Sequence, residues 1–104
     1  MKRGEIWWAV LPKPAGRRPV VLLSRDEAYQ VRDLVTVVPV TTKMRGIPVE
    51  VRLGPDDGLP RDCVANADTL TTIPKACLSD RVSTLVPAKL AALNEAVKFA
   101  LDLQ

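Results

Sequence analysis

The alternation of apolar and polar positions predicts a chain of short strands closed by one helix. Glu5 to Val10 reads as a first strand, with Ile6, Trp8 and Val10 on one face and Trp7 and Ala9 on the other. Two prolines and a glycine in Leu11 to Gly16 then break it. Pro19 to Ser24 follows as a strand too apolar for a wet face, which predicts a central position. Leu34 to Thr42 is the longest strand candidate and is rich in β-branched residues. Pro39 inside it has no N–H to donate, so an edge position or a bulge is expected there, re-aiming Val40, Thr41 and Thr42.

Pro48 to Leu53 alternates Val49, Val51 and Leu53 with Glu50 and Arg52, so one face is expected to be wet. Gly54-Pro55-Asp56-Asp57-Gly58 is a turn. Cys63 to Leu70 and Ser79 to Val86 are two further strand candidates, with a bend or short extension at Thr71 to Pro74. From Pro87 to Leu103 the period changes: Leu90, Leu93, Val97 and Leu101 recur at helical spacing beside Ala100, behind a proline suited to a first helical position. Five or six strands and a terminal helix predict a mainly β fold, a small antiparallel barrel with the helix packed on it.

The chain has 104 residues, enough for one core and one domain. No apolar run approaches a membrane span, and the basic N-terminus has no long apolar segment behind it, so a cytoplasmic protein without a signal peptide is expected. Charge is distributed unevenly. Residues 1 to 52 carry ten Lys or Arg against five Asp or Glu, and residues 53 to 104 carry five against seven. The halves are therefore +5 and −2, and such a one-sided field suits a polyanion as well as it suits an ordinary mixed-charge surface.

Two absences narrow the chemistry. There is no histidine, so no imidazole is present to act as base, acid or metal ligand. Cys63 and Cys77 alone are too few for a zinc site and are expected to be unpaired thiols. Catalysis, if any, falls to Arg, Lys, Asp, Glu, Ser, Thr or Tyr29, with no metal and no cofactor.

Against that background the stretch Gly16-Arg17-Arg18-Pro19-Val20-Val21-Leu22-Leu23-Ser24 stands out, because it sets two guanidiniums at the lip of a buried strand. A planar, permanently charged fork grips phosphate well, although a lone Arg-Arg pair is equally a solvated basic turn. Thr41 and Thr42 end another buried strand and gain interest only if the sheet brings them beside these arginines. Trp7 and Trp8 are read as packing residues first and as stacking platforms for bases second.

Taken in order, Gly4-Glu5-Ile6-Trp7-Trp8, the Arg-Arg-Pro block, Val37-Val38-Pro39-Val40-Thr41-Thr42 and Leu59-Pro60-Arg61-Asp62-Cys63-Val64-Ala65-Asn66-Ala67-Asp68 resemble the MazF/PemK/Kid toxins of type II toxin–antitoxin systems. Asp80-Arg81-Val82 and the helix start extend the likeness from Gly4 to Leu103, closest in kind to mycobacterial-type members with a short first loop. The resemblance implies an SH3-like, CcdB-like barrel assembled as a homodimer. It implies metal-independent, sequence-selective cleavage of single-stranded RNA by 2′-hydroxyl attack, and an antitoxin partner with an acidic C-terminal tail. It maps the catalytic pair onto Arg18 and Thr41, with Asp68 as the candidate base. The loop Leu11 to Gly16 lacks the acid that many relatives carry there. Arg17, Lys13, Thr42, Lys43, Arg45 and Asn66 are the expected RNA-binding set. A non-catalytic SH3-like binding module and a CcdB-like topoisomerase inhibitor are the competing readings.

Overall fold

In the computed structural model, which describes residues 1–104, seven strands form one antiparallel sheet: β1 (Glu5–Val10), β2 (Arg17–Leu22), β3 (Leu34–Thr41), β4 (Glu50–Leu53), β5 (Cys63–Asn66), β6 (Thr71–Pro74) and β7 (Leu78–Thr84). A four-residue helix α1 (Ala28–Val31) precedes β3, and α2 (Pro87–Leu101) ends the fold. The strand order is β4-β5-β3-β2-β1-β7, with β6 also paired to β3. Strands β4 and β7 remain unpaired edges, so the expected barrel is an open sheet.

The unbroken apolar runs of β2 and β3 have a simple cause. Over Val20–Leu22 and Val37–Val38 both faces are buried, so successive side chains there need to be apolar. Val21, Val38 and Val40 join Ile6, Val51, Leu53, Ala65, Leu93 and Ala96 in a core under α2. Val20, Leu22, Val35 and Val37 join Ala9, Tyr29 and Ile73 in a second core on the other face, beneath α1 and β6.

Several expectations need correction. The two faces of β1 are as expected, with Ile6 in the first core and Trp7 and Ala9 on the second, but Val10 at the strand end is 56% exposed. Both arginines of the basic pair already belong to β2 instead of the turn before it. On α2 the seat of the stripe is Leu93 and Ala96, with Leu90, Val97 and Ala100 partly buried, whereas Leu101 points to solvent. The strand expected from Cys63 to Leu70 stops at Asn66 and becomes a 3-10 turn over Ala67–Thr69.

Pro39 lies on a central strand, not an edge. Residues Leu34 to Val37 of β3 pair with β6, whereas Val40 and Thr41 pair with β5. Pro39 sits where β3 changes partner, the one stretch of that side where a missing N–H leaves no ladder bond unmade.

A cationic cavity at the strand fork

The divergence of β5 and β6 beside Pro39 opens a cavity of about 630 Å³. Alternation along each strand decides which side chains reach it. Pro39 and Thr41 share the face of Val35 and Val37, and Arg18 shares the face of Val20 and Leu22, so all three emerge on the side of the second core. The last ladder pair between β2 and β3 is Val20↔Pro39. Continued two residues along an antiparallel register, it sets Arg18 across from Thr41. The positioning expected of Arg18 and Thr41 thus follows from strand register.

The remaining wall comes from two loops and from the run between β5 and the end of β6. Leu11, Pro12 and Ala15 belong to the β1–β2 loop, and Lys43 and Arg45 to the turn after β3. Asn66 ends β5, and Thr69, Thr71, Thr72, Ile73 and Pro74 follow it. The loop before the arginines closes when Leu11 N–H donates to the Gly16 carbonyl at 2.9 Å, with Gly16 at φ +64°, a conformation that favours glycine. Arg18 Nε donates to the Ala15 carbonyl at 3.3 Å, which leaves the terminal nitrogens of the fork for a ligand. The Lys43 N–H donates to Thr41 Oγ1 at 3.2 Å, and the Glu50 carboxylate accepts from the N–H groups of Arg45 and Gly46. Glu50 thereby secures the turn that carries two of the cavity's cations.

The three charged side chains lining the cavity, Arg18, Lys43 and Arg45, are all cationic, and no carboxylate lines it. The site is built to receive an anion. Asn66 is 8% exposed; its Oδ1 accepts from the Asp68 N–H at 2.9 Å, and its carbonyl accepts from Thr69 Oγ1 at 2.8 Å.

Other expected site residues lie elsewhere. Arg17 is on the opposite face of β2, its guanidinium 4.3 Å from the Trp8 ring centroid and 3.6 Å from the Asp80 carboxylate. Thr42 lines a second cavity of about 210 Å³ with Trp8, Pro19 and Arg61, and Thr41 borders both cavities. Lys13 is exposed on the β1–β2 loop and Asp68 on the turn after β5, and neither lines the main cavity. Trp7 is half-buried against the second core and donates its Nε1–H to Glu5 at 3.0 Å.

Sequence reasoning missed Cys77 and the threonine-rich edge of β6, because the pairing of β6 with β3 has no local signature. Of the two thiols, Cys63 is buried, and burial together with Asp57 and Asp62 pushes it up, so it stays protonated.

Comparison with known proteins agrees with this architecture. Residues 2–101 match the family described as PemK-like, MazF-like toxin of type II toxin–antitoxin system. The chain belongs to that family. It is 39% identical to a protein of Mycobacterium tuberculosis named probable endoribonuclease MazF5, over 96% of this chain and 92% of the relative. Among solved structures, the Mycobacterium tuberculosis toxin MazF-mt6 superposes with a TM-score of 0.89 at 34% identity, covering 96% of this chain and 98% of that one. A mycobacterial endoribonuclease in complex with its cognate antitoxin gives 0.88 at 32% identity, covering 100% and 97%. The antiparallel sheet with its C-terminal helix is thus that of a PemK/MazF-type toxin. No helix of this family member is long and apolar enough to cross a membrane.

Proposed function

We propose that this toxin-family chain is an endoribonuclease that cuts single-stranded RNA in the cavity at the strand fork. The observation that carries the reading is the convergence of Arg18 and Thr41 in a cavity whose charged lining residues are all cations. In attack by the adjacent 2′-oxygen, negative charge builds on the non-bridging oxygens of the phosphorane. The free end of the Arg18 fork meets that charge, and Thr41 holds the phosphate in line. Lys43 and Arg45 grip the flanking phosphates. Asn66 contacts the RNA from the opposite wall.

The sequence mapping made Asp68 the candidate base, but its exposed position outside the cavity lining gives that role no support. The cations instead lower the cost of forming the 2′-oxyanion, whose proton passes to solvent water, and water returns a proton to the departing 5′-oxygen. The products are a 2′,3′-cyclic phosphate and a 5′-hydroxyl, and no metal takes part. Arg17, Lys13 and Thr42 have no part in this step. The toxin acts in the cytoplasm as a homodimer, and an antitoxin with an acidic tail silences it by occupying the same cationic surface.

Arg18→Ala is expected to lower kcat on single-stranded RNA by roughly 10²–10³-fold, the range for losing one donor to a developing oxyanion, with the thermal melt unchanged. The assay is run in excess chelator to test metal independence at the same time. Cleavage by the variant at the wild-type rate overturns the mechanism, and loss of wild-type activity in chelator overturns the metal-free reading.

A further inference from the structure

Within the cavity one group differs in kind from the rest. Lys43 and Arg45 are cations on exposed, flexible stems, suited to phosphates, which position a nucleic acid without reading it. Thr41 Oγ1 already accepts from the Lys43 N–H, and the Thr72 hydroxyl is paired with that of Thr36 at 3.1 Å. Hydroxyls of this kind rotate, and donate or accept as required. Asn66 does neither. Its Oδ1 is held by the Asp68 N–H at 2.9 Å, which fixes the orientation of the amide. Its Nδ2 has no partner in the chain and is not sealed in the interior, and Asn66 is one of the residues that line the cavity. Asn66, a residue only 8% exposed, thus carries one oriented, uncharged, donor-only group in a cavity lined also by Pro39 and Ile73.

We infer that the Asn66 Nδ2 reads the edge of a nucleobase next to the scissile bond and selects a keto base, uracil or guanine, over cytosine or adenine. Uracil O4 and guanine O6 are acceptors where cytosine and adenine carry amino donors. A donor with fixed direction pairs with the former, and against the latter it faces another donor and both go unpaired. The apolar surfaces receive the face of the base. This inference rests on the endoribonuclease reading and adds to it the residue that sets sequence preference.

Sequencing the cut sites in a randomised RNA pool tests the assignment. If the wild type cuts no RNA, the endoribonuclease reading itself fails. If it cuts, one position flanking the break is expected to favour U or G about fivefold to tenfold, the effect of one good hydrogen bond. Asn66→Asp keeps the acceptor that holds the Asp68 N–H and replaces the donor with an acceptor, so preference at that position should invert to C or A while the other positions are unchanged. Asn66→Ala should abolish preference there. A variant too slow to profile is read by fluorescence anisotropy with oligonucleotides bearing a 2′-deoxy sugar at the cut and either U or C at the flanking position. The ratio of dissociation constants should then favour U in the wild type, C in Asn66→Asp and neither in Asn66→Ala. A wild type that prefers C or A, or shows no preference, at both flanking positions overturns the inference. So do variants that bind or cut all sequences uniformly less well with the wild-type profile intact, because they show a backbone contact.

Discussion

Neighbouring side chains on one strand take opposite roles in this protein, and the clearest case is the arginine pair. Arg17 stacks on Trp8 and faces Asp80 in an exposed ion pair, an arrangement worth at most about 1 kcal/mol. Arg18, one residue on, points into the cavity with only its Nε engaged. Tyr29 shows how burial tunes one group. Burial, and secondarily Asp26, push its hydroxyl up to about 12, and it donates to the Ser24 carbonyl at 3.0 Å. A raised value means the folded state holds the proton more tightly than the unfolded chain. The associated stability is therefore complete below pH 10 and drains away as pH rises from about 10 to 12. Melting curves over that interval should fall for the wild type and flatten in Tyr29→Phe. The difference between the two should be on the order of 2 kcal/mol. Parallel curves would show that Tyr29 is not the group responsible.

At the scale of elements, packing and not periodicity decides which positions of α2 matter. Leu93 and Leu101 belong to one apolar stripe in the sequence, yet Leu93 is fully buried and Leu101 is 52% exposed. Leu101 lies off the packed face, whereas Ala100 beside it is partly buried against the first core. Leu93→Ala is expected to destabilise by about 2–5 kcal/mol through lost burial and the cavity it leaves. Leu101→Ala should stay within about 0.5 kcal/mol. Denaturant unfolding measures both, and comparable losses would contradict the packing described. The strand fork follows the same logic. Pro39 is tolerated in a central strand because β3 changes partners there, and the same gap in the ladder makes room for the cavity.

For the molecule as a whole, electrostatics should be visible as salt dependence. Three cations line the cavity, and neutralising three phosphates of a single strand gives a slope of log Kobs against log[salt] of about −2. Binding of a 2′-deoxy-substituted oligonucleotide, titrated with salt, checks it. Removing Lys43 should make the slope shallower by about 0.7, whereas an unchanged slope would place the bound strand elsewhere. Charge imbalance between the chain's halves anticipated this field, but not its location. Lys43 and Arg45 contribute because Glu50 holds their turn, whereas Lys13, equally basic and nearby in sequence, stays outside.

Local sequence determined what local physics controls. Apolar runs with β-branched residues specified strands β1 to β4, helical spacing behind Pro87 specified α2, and the ordered blocks specified the family. Tertiary structure alone decided the split of β3 between β5 and β6, which creates the cavity. It also decided the open edges at β4 and β7 and which face of β2, that of Arg17 or that of Arg18, opens on the cavity. These depend on strand register between segments far apart in the chain. A shift of one residue exchanges the two faces, and no short stretch of sequence encodes which face its partners will cover.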